Sequence, residues 1–320
     1  MEILHAPPKY PPSIRSTVTI GNFDGIHLGH REILINLLKT ARQYGSQSVV
    51  MTFQPHPMQV LFPPKAPRLI TSAEHKRQLI EQFGIDVLLI MTFDHELSLK
   101  SGEAFIREIL VEALRVKHLF LGENFVFGHH RTGNVALLQN LSRECDYIVH
   151  VIPPVEVRGT RVSSTWIRQL IQDGKVSAAN RLLGRYYSVH GEVVQGQGLG
   201  RKFLFPTLNL DPSSEILPKN GVYVTRTFFG GREYSSVTNI GTRPTVAGIA
   251  VVVESHLLDV ALDKAPASME IQFLHRLRDE QKFPSLEALK AQITCDCKRS
   301  SRFFSLLEKF RKPQAPGRKY

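Results

Sequence analysis

His27 and His30 stand three residues apart, directly after the run Gly21-Asn22-Phe23-Asp24-Gly25. A helix beginning at His27 puts both imidazoles on one face of its first turn. The backbone N–H groups there have no intrahelical acceptor, and such a terminus favours an anion, phosphate above all. Two imidazoles aimed at a phosphate suit phosphoryl chemistry. Surface histidines on an ordinary strand-to-helix connection are the plain alternative. The joint spacing of Gly21, Phe23, Asp24, His27, Gly29 and His30 weighs against it.

Two further stretches can handle anions. In RVSSTWIRQL, residues Ser163, Ser164 and Thr165 start a helix, so their hydroxyls and the free N–H groups can face one phosphate. Arg168, one turn on, can fork onto it; an ordinary N-cap explains the hydroxyls equally well. In GQGLGRKFLFPTLNL, Gly196, Gly198 and Gly200 permit close backbone approach to phosphates. Thr207 and Asn209 add a hydroxyl and a carbonyl oxygen, hard ligands for magnesium. Taken alone, Pro-Thr-x-Asn is also a plain turn. His56, between two prolines, reads as structural or ligand-facing alike. His129 and His130 lack carboxylate or cysteine companions and read as loop residues.

The elements that position these groups change in kind along the chain. STVTI is a short buried strand entering a helix over residues 30–44, and SQSVVMTF, DVLLIMTF, HLFLG and YIVHVI are further apolar strands. Thr71 and Glu74 predict a capping box for a helix through Phe83, and apolar spacing predicts a helix over 102–115. Strands alternating with helices predict a parallel α/β sheet over residues 1–183. From Gly184 the pattern becomes short alternating strands, with Gly230-Gly231 a two-residue hairpin turn. That spacing predicts a small antiparallel barrel over residues 184–320, closed by two helices near 285–294 and 299–311.

With 320 residues, 42% of them hydrophobic and 22% charged, the chain can bury two cores. No apolar run approaches the roughly 18 residues needed to span a bilayer, and the N-terminal residues lack a secretory signal pattern, so no membrane role and a cytoplasmic location are expected. Cys145, Cys295 and Cys297 are odd in number and follow no zinc or redox spacing, which predicts reduced thiols. The net charge of +11 is spread along the chain apart from a basic tail, so nucleic acid is not the expected partner. A homo-oligomer is compatible with the sequence.

In the form GNFDGIHLGH, with SSTWIR following in order, the chain resembles the prokaryotic bifunctional riboflavin kinase/FAD synthetase family. Pro206-Thr207-Leu208-Asn209, Asn239 to Thr245 and Val253 to Asp259 resemble its kinase motifs. The resemblance implies a Rossmann-like nucleotidylyltransferase domain followed by a riboflavin kinase barrel. It implies ATP, riboflavin and FMN as substrates, with Mg2+. It places Gly21, Asn22, Phe23, Asp24, Ser163, Ser164, Thr165 and Arg168 at the adenylylation nucleotide, and Asn124 and Phe125 of GENFVFG at flavin. On the kinase side it places Gly196, Gly198, Gly200 and Arg201 at nucleotide, Arg243 at flavin, Thr207 and Asn209 at the metal, and Glu254 as catalytic base. Leu204 and Leu208 depart from the family's GFPTAN, and VALDKAPASMEIQF lacks its DLYG element. An adenylyltransferase with a degenerate, flavin-binding kinase domain is therefore the alternative, with an RNA-binding module behind it.

Overall fold

The computed structural model describes residues 1–9, 12–194, 207–212, 215–245, 248–260, 262 and 264–310, with backbone alone at 212, 243–245 and 248–250. These residues fall into two compact units, Met1–Ser164 and Thr165–Tyr320.

The first unit is built on six parallel strands: β1 (Glu2–Leu4), β2 (Ser16–Ile20), β3 (Gln47–Gln54), β4 (Val87–Thr92), β5 (Val116–Gly122) and β6 (Ile148–Ile152). Their order across the sheet is β1-β4-β3-β2-β5-β6. The central strands β2, β3, β4 and β5 are buried along most of their length because both faces of the sheet are covered there. Val49 and Met51 point into one core with Ile106, Leu110 and Leu119; Val50 points into the other with Leu34, Leu37 and Ile80. After β2 the chain winds outward through β3 and β4, then returns to lay β5 on the opposite side of β2. Ligands of open α/β sheets bind at the carboxyl ends of strands at such a reversal. The turn entering helix α1 (Leu28–Tyr44) and the loop leaving β5 both lie there.

Two local expectations are corrected. The cap of helix α2 (Ala73–Glu81) is Ser72, whose hydroxyl accepts from His75 N; Thr71 is occupied elsewhere, and the helix stops before Phe83. The expected 102–115 helix is π-helical over Phe105–Ala113, designated α3, with Leu114 N donating to Ile109 O. Apolar residues at 105, 106, 109 and 110 bury one face at either pitch, so their spacing does not separate the two.

The boundary falls one residue into α4 (Ser164–Gln172), so the second unit opens with the rest of that helix and α5 (Val176–Leu183). Helix α5 packs on the barrel through Asn180, which donates to Phe273 O at 2.8 Å and accepts from Tyr187 N at 2.7 Å. The barrel strands are β7 (Tyr187–Val194), β8 (Thr207–Pro212), β9 (Gly221–Phe229), β10 (Arg232–Thr245), β11 (Gly248–Leu257) and β12 (Ser268–Arg278). They close antiparallel in the order β7-β8-β11-β10-β9-β12. Gly230 and Gly231, both at positive φ, turn the β9–β10 hairpin between the paired Phe229 and Arg232.

Inside the barrel, a run of buried hydroxyls satisfies itself. Thr225 meets Ser236 at 2.8 Å and Thr238 at 2.7 Å; Thr227 meets Ser236 and Ser255, each at 2.9 Å. Buried hydroxyls need such partners. One continuous helix, α6 (Leu286–Phe310), closes the unit where two were expected, since no glycine or proline interrupts it. Arg278 forks onto the buried Asp296 of α6, with Nε and Nη2 at 2.9 and 2.8 Å from Oδ2.

Candidate functional site

The turn between β2 and α1 is held in a conformation that side chains other than glycine avoid. Phe23 has φ of 47° and the β-branched Ile26 has φ of 37°. Such strain persists only where the surroundings impose it. Both side chains are buried in the core beside Leu34 and Leu37. The Asp24 carboxylate, also buried, accepts from Ile70 N at 2.9 Å and Thr71 N at 3.1 Å, while Thr71 Oγ1 accepts from Gly25 N at 3.2 Å. Asp24 therefore braces the turn onto the segment before α2.

This brace fixes the histidines. His27 caps α1, its Nδ1 accepting from His30 N at 3.2 Å. In a neutral ring that assignment leaves the proton on Nε2, as a donor. The rings of His27 and His30 stack at 3.7 Å and 12°. Gly29 makes room for them, since a Cβ there would sit 3.2 Å from the His27 ring. Gly21 similarly lies against Phe23, where a Cβ would stand 3.2 Å from the phenyl ring.

Other predicted residues approach from neighbouring segments. Ser164 Oγ donates to Asp24 O at 2.9 Å, which brings the start of α4 to the turn, beside the half-buried Ser163. Thr165 and Arg168 follow on α4 and belong to the second unit. Beyond β5, Asn124 is exposed, whereas Phe125 stacks on Phe127 at 5.3 Å and packs against the core. His56 serves the local fold, its Nδ1 accepting from Met58 N and capping the short helix Pro57–Leu61. His129 and His130 lie in a single turn of 3-10 helix, and no cluster of three or more His, Cys, Asp or Glu able to hold a metal occurs among the described residues.

In the second unit the strand register forms a polar row. Glu254 of β11 lies directly opposite Asn209 of β8 on one side and Asn239 of β10 on the other. Opposed residues share a face, with Cβ atoms about 4.5–5.5 Å apart. Leu208, Leu210, Val253 and Ser255 share one buried face, which leaves Thr207, Asn209, Glu254 and His256 on the alternate face, where Asn209 is itself buried and the other three are half-buried. Thr207 is paired with His256, one step along the same face. Gly196, Gly198, Gly200 and Arg201 lie outside the described residues; Arg243 is described only as backbone, paired with Ala250.

A cavity of about 550 Å³ opens elsewhere on the barrel, lined among others by His190, Glu192, Asp211, Phe228 and Glu270. Burial pushes the Glu270 carboxyl up, but the His190 side chain, with Nε2 at 3.5 Å, together with hydrogen bonds from Gln272 and Ser188 holds it below the usual carboxylate range. Glu254 is not in this lining.

Sequence reasoning overlooked Lys76, whose Nζ donates to Asn22 O at 3.0 Å and to Thr52 Oγ1 at 3.3 Å. Nothing in the spacing of residues 22, 52 and 76 announces their meeting; the parallel strand order produces it. Asn239 was named within a motif but gained a place beside Glu254 only from the register.

The FAD synthetase family model matches residues 11–166, and the riboflavin kinase family model matches residues 183–304. A bifunctional riboflavin kinase/FMN adenylyltransferase of Escherichia coli (strain K12) is 38% identical over 296 residues, 92% of this chain and 95% of that protein. The Pseudomonas fluorescens protein of the same description is 37% identical over 298 residues, 92% and 96% of the two chains. A solved Streptococcus pneumoniae structure, described as a macrolide-efflux protein, matches with a TM-score of 0.86 and 28% identity over 94% of this chain and 99% of that one. Among the described residues no helix is long and apolar enough to cross a membrane.

Proposed function

The chain belongs to the bifunctional riboflavin kinase/FMN adenylyltransferase family, and on that premise we propose how its residues divide two ATP-dependent reactions. Residues 1–183 adenylylate FMN to FAD, and residues 184–320 phosphorylate riboflavin to FMN. The observation that carries this reading is the separation of the two constellations: His27 and His30 fall in one compact unit, Asn209 and Glu254 in the other.

In adenylyl transfer a phosphate oxygen of FMN attacks the α-phosphorus of ATP, and the bond to the β-phosphate oxygen breaks to release pyrophosphate. The attacking oxygen is already anionic, so no general base is needed. The barrier is charge building on the α- and β-phosphates, which donors fixed in advance stabilise best. His27, His30 and the N-terminal end of α1 supply them, on a turn shaped by Gly21, Asn22, Phe23 and Asp24. Ser163 and Ser164 add nucleotide contacts and Asn124 and Phe125 serve the flavin, while Thr165 and Arg168 are assigned to the nucleotide on their motif alone.

In the kinase reaction Glu254 accepts the proton of the ribityl hydroxyl as that oxygen takes the γ-phosphoryl group and ADP leaves. An ionised carboxylate is a suitable base once it is within hydrogen-bond reach of the hydroxyl. Thr207 and Asn209 offer two neutral oxygens, a donor set that suits Mg2+ carried in by nucleotide phosphates rather than held by protein alone. When bound, the ion would neutralise γ-phosphate charge. Gly196, Gly198, Gly200 and Arg201 are assigned to the nucleotide and Arg243 to the flavin.

Chromatography of the flavins formed from riboflavin with ATP and magnesium, and separately from FMN, tests the assignment. Both FMN and FAD are expected from riboflavin. FAD from FMN alone, with riboflavin untouched, would instead favour a degenerate kinase domain, the reading motivated by the missing DLYG element.

A further inference from the structure

Lys76 is a charged side chain of the first unit that the reactions above leave unused. It sits on α2, half-buried, and its ammonium bridges two other elements: the carbonyl of Asn22 in the strained turn, at 3.0 Å, and the hydroxyl of Thr52 near the end of β3, at 3.3 Å. The Thr52 hydroxyl also reaches Asn22 O, at 3.3 Å. Burying a charge is expensive unless a partner neutralises it. Here both contacts are to neutral oxygens, and the ammonium touches no carboxylate among the described residues. The nearest acid in its field is Asp24, whose oxygens are engaged with Ile70 and Thr71. Burial pushes the Lys76 ammonium below its ordinary value, and Asp24 only partly opposes this.

A lysine in this position does two things for an anion. A carbonyl oxygen at the mouth of a phosphate seat repels phosphate, and Lys76 with Thr52 engages the one carbonyl that Asn22 contributes. An ammonium also has three donors, of which these contacts use two. The remaining charge is undercompensated at the carboxyl edge of the sheet, where a triphosphate would complete its shell.

We propose that Lys76 is a positioning residue for adenylyl transfer, clamping Asn22 and lending positive charge to the polyphosphate of ATP and to the departing pyrophosphate. The inference rests on assigning that reaction to the His27 and His30 turn.

The test uses the full-length enzyme and three variants, Lys76→Met, Lys76→Arg and Thr52→Val. FAD formation from supplied FMN is measured together with inhibition by inorganic pyrophosphate. Lys76→Met is expected to lower kcat for FAD formation by about a hundredfold, the low end for losing one electrostatic donor. It should also weaken pyrophosphate inhibition at least fivefold, with FMN formation from riboflavin within twofold of the parent. Lys76→Arg should regain most of both, because it keeps the charge. Thr52→Val, which loosens the same clamp and leaves the charge, should keep normal pyrophosphate inhibition. A Lys76→Met enzyme with normal pyrophosphate inhibition, or a Lys76→Arg enzyme as impaired as Lys76→Met, would reduce the lysine to a strut and overturn the proposal. If Lys76→Met does not fold, Lys76→Gln carries the same comparison. His27→Ala separates the two levels: full FAD formation in that variant removes the underlying site assignment, whereas its loss alongside unaffected Lys76 variants removes only the role of the lysine.

Discussion

Glu254 faces Asn209 across one strand ladder and Asn239 across the next, so the carboxylate is flanked by two amides on one face of the barrel. Substituting Glu254→Gln keeps the shape of this row and removes its base. FMN formation from riboflavin should fall on the order of a hundredfold or more, the usual worth of a positioned base, while FAD formation from FMN stays within twofold. Equal loss of both activities in a folded variant would refute the separation of the sites.

Gly29 answers a narrower question. Gly29→Ala introduces a methyl 3.2 Å from the His27 ring, which is pinned between its backbone cap and the stacked His30. The imidazole must shift by a few tenths of an ångström. FAD formation should drop about tenfold, since small misplacements at a reacting centre are costly, with kinase activity unchanged. Undiminished FAD formation in Gly29→Ala would mean the ring position does not matter.

Acidification should weaken the first unit. His118 Nδ1 lies 3.1 Å from His150 Nε2, and the His150 ring stacks on Phe120. Burial holds both imidazoles below the ordinary histidine range; for His118 the charges of His150, Lys117 and Arg15 act in the same direction. The unfolded chain therefore takes up protons first. The stabilisation is fully present above about pH 6.5, the unfolded value, and is lost as pH falls from there toward the depressed folded values. Thermal unfolding of the parent at pH 7.5 and 5.5, compared with His150→Phe, checks this; the variant should show the smaller drop.

In the barrel, Ser236 is hydrogen-bonded to both Thr225 and Thr227. Ser236→Ala leaves two buried hydroxyls each short of a partner, at a cost of roughly 1–3 kcal/mol. The urea concentration that halves kinase activity should fall, with little change for adenylylation. An unmoved midpoint would indicate that the network contributes nothing.

Asp296→Ala should be harsher, because it strands the Arg278 guanidinium in a mostly buried place. Removing one member of a buried ion pair costs about 3–5 kcal/mol. Hydrogen exchange along residues 286–310 should accelerate relative to the parent, and Asp296→Asn should recover part of the protection.

The parts of this molecule legible in sequence are those written in contiguous residues. Val18 and Ile20 running into a glycine turn announce a strand and its corner into a helix, and Gly230-Gly231 announces a hairpin. What escaped depends on elements far apart in the chain. Ser72 rather than Thr71 caps α2 because Thr71 is drawn to Gly25 and Asp24, some 46 residues away. Lys76 reads as a surface lysine until β3 and the turn are set beside it. The row on the barrel needed the register, since a slip of one residue would have turned Glu254 inward.

The bent backbone at Phe23 and Ile26 is held by two side chains locked in the interior, with the Asp24 brace between them. A synthetic peptide spanning residues 20–30 would relax into ordinary loop conformations. Trimming either anchor, by Phe23→Ala or Ile26→Ala, ought to silence adenylylation while the remaining fold still registers as native, which makes this reaction an early witness to interior loosening.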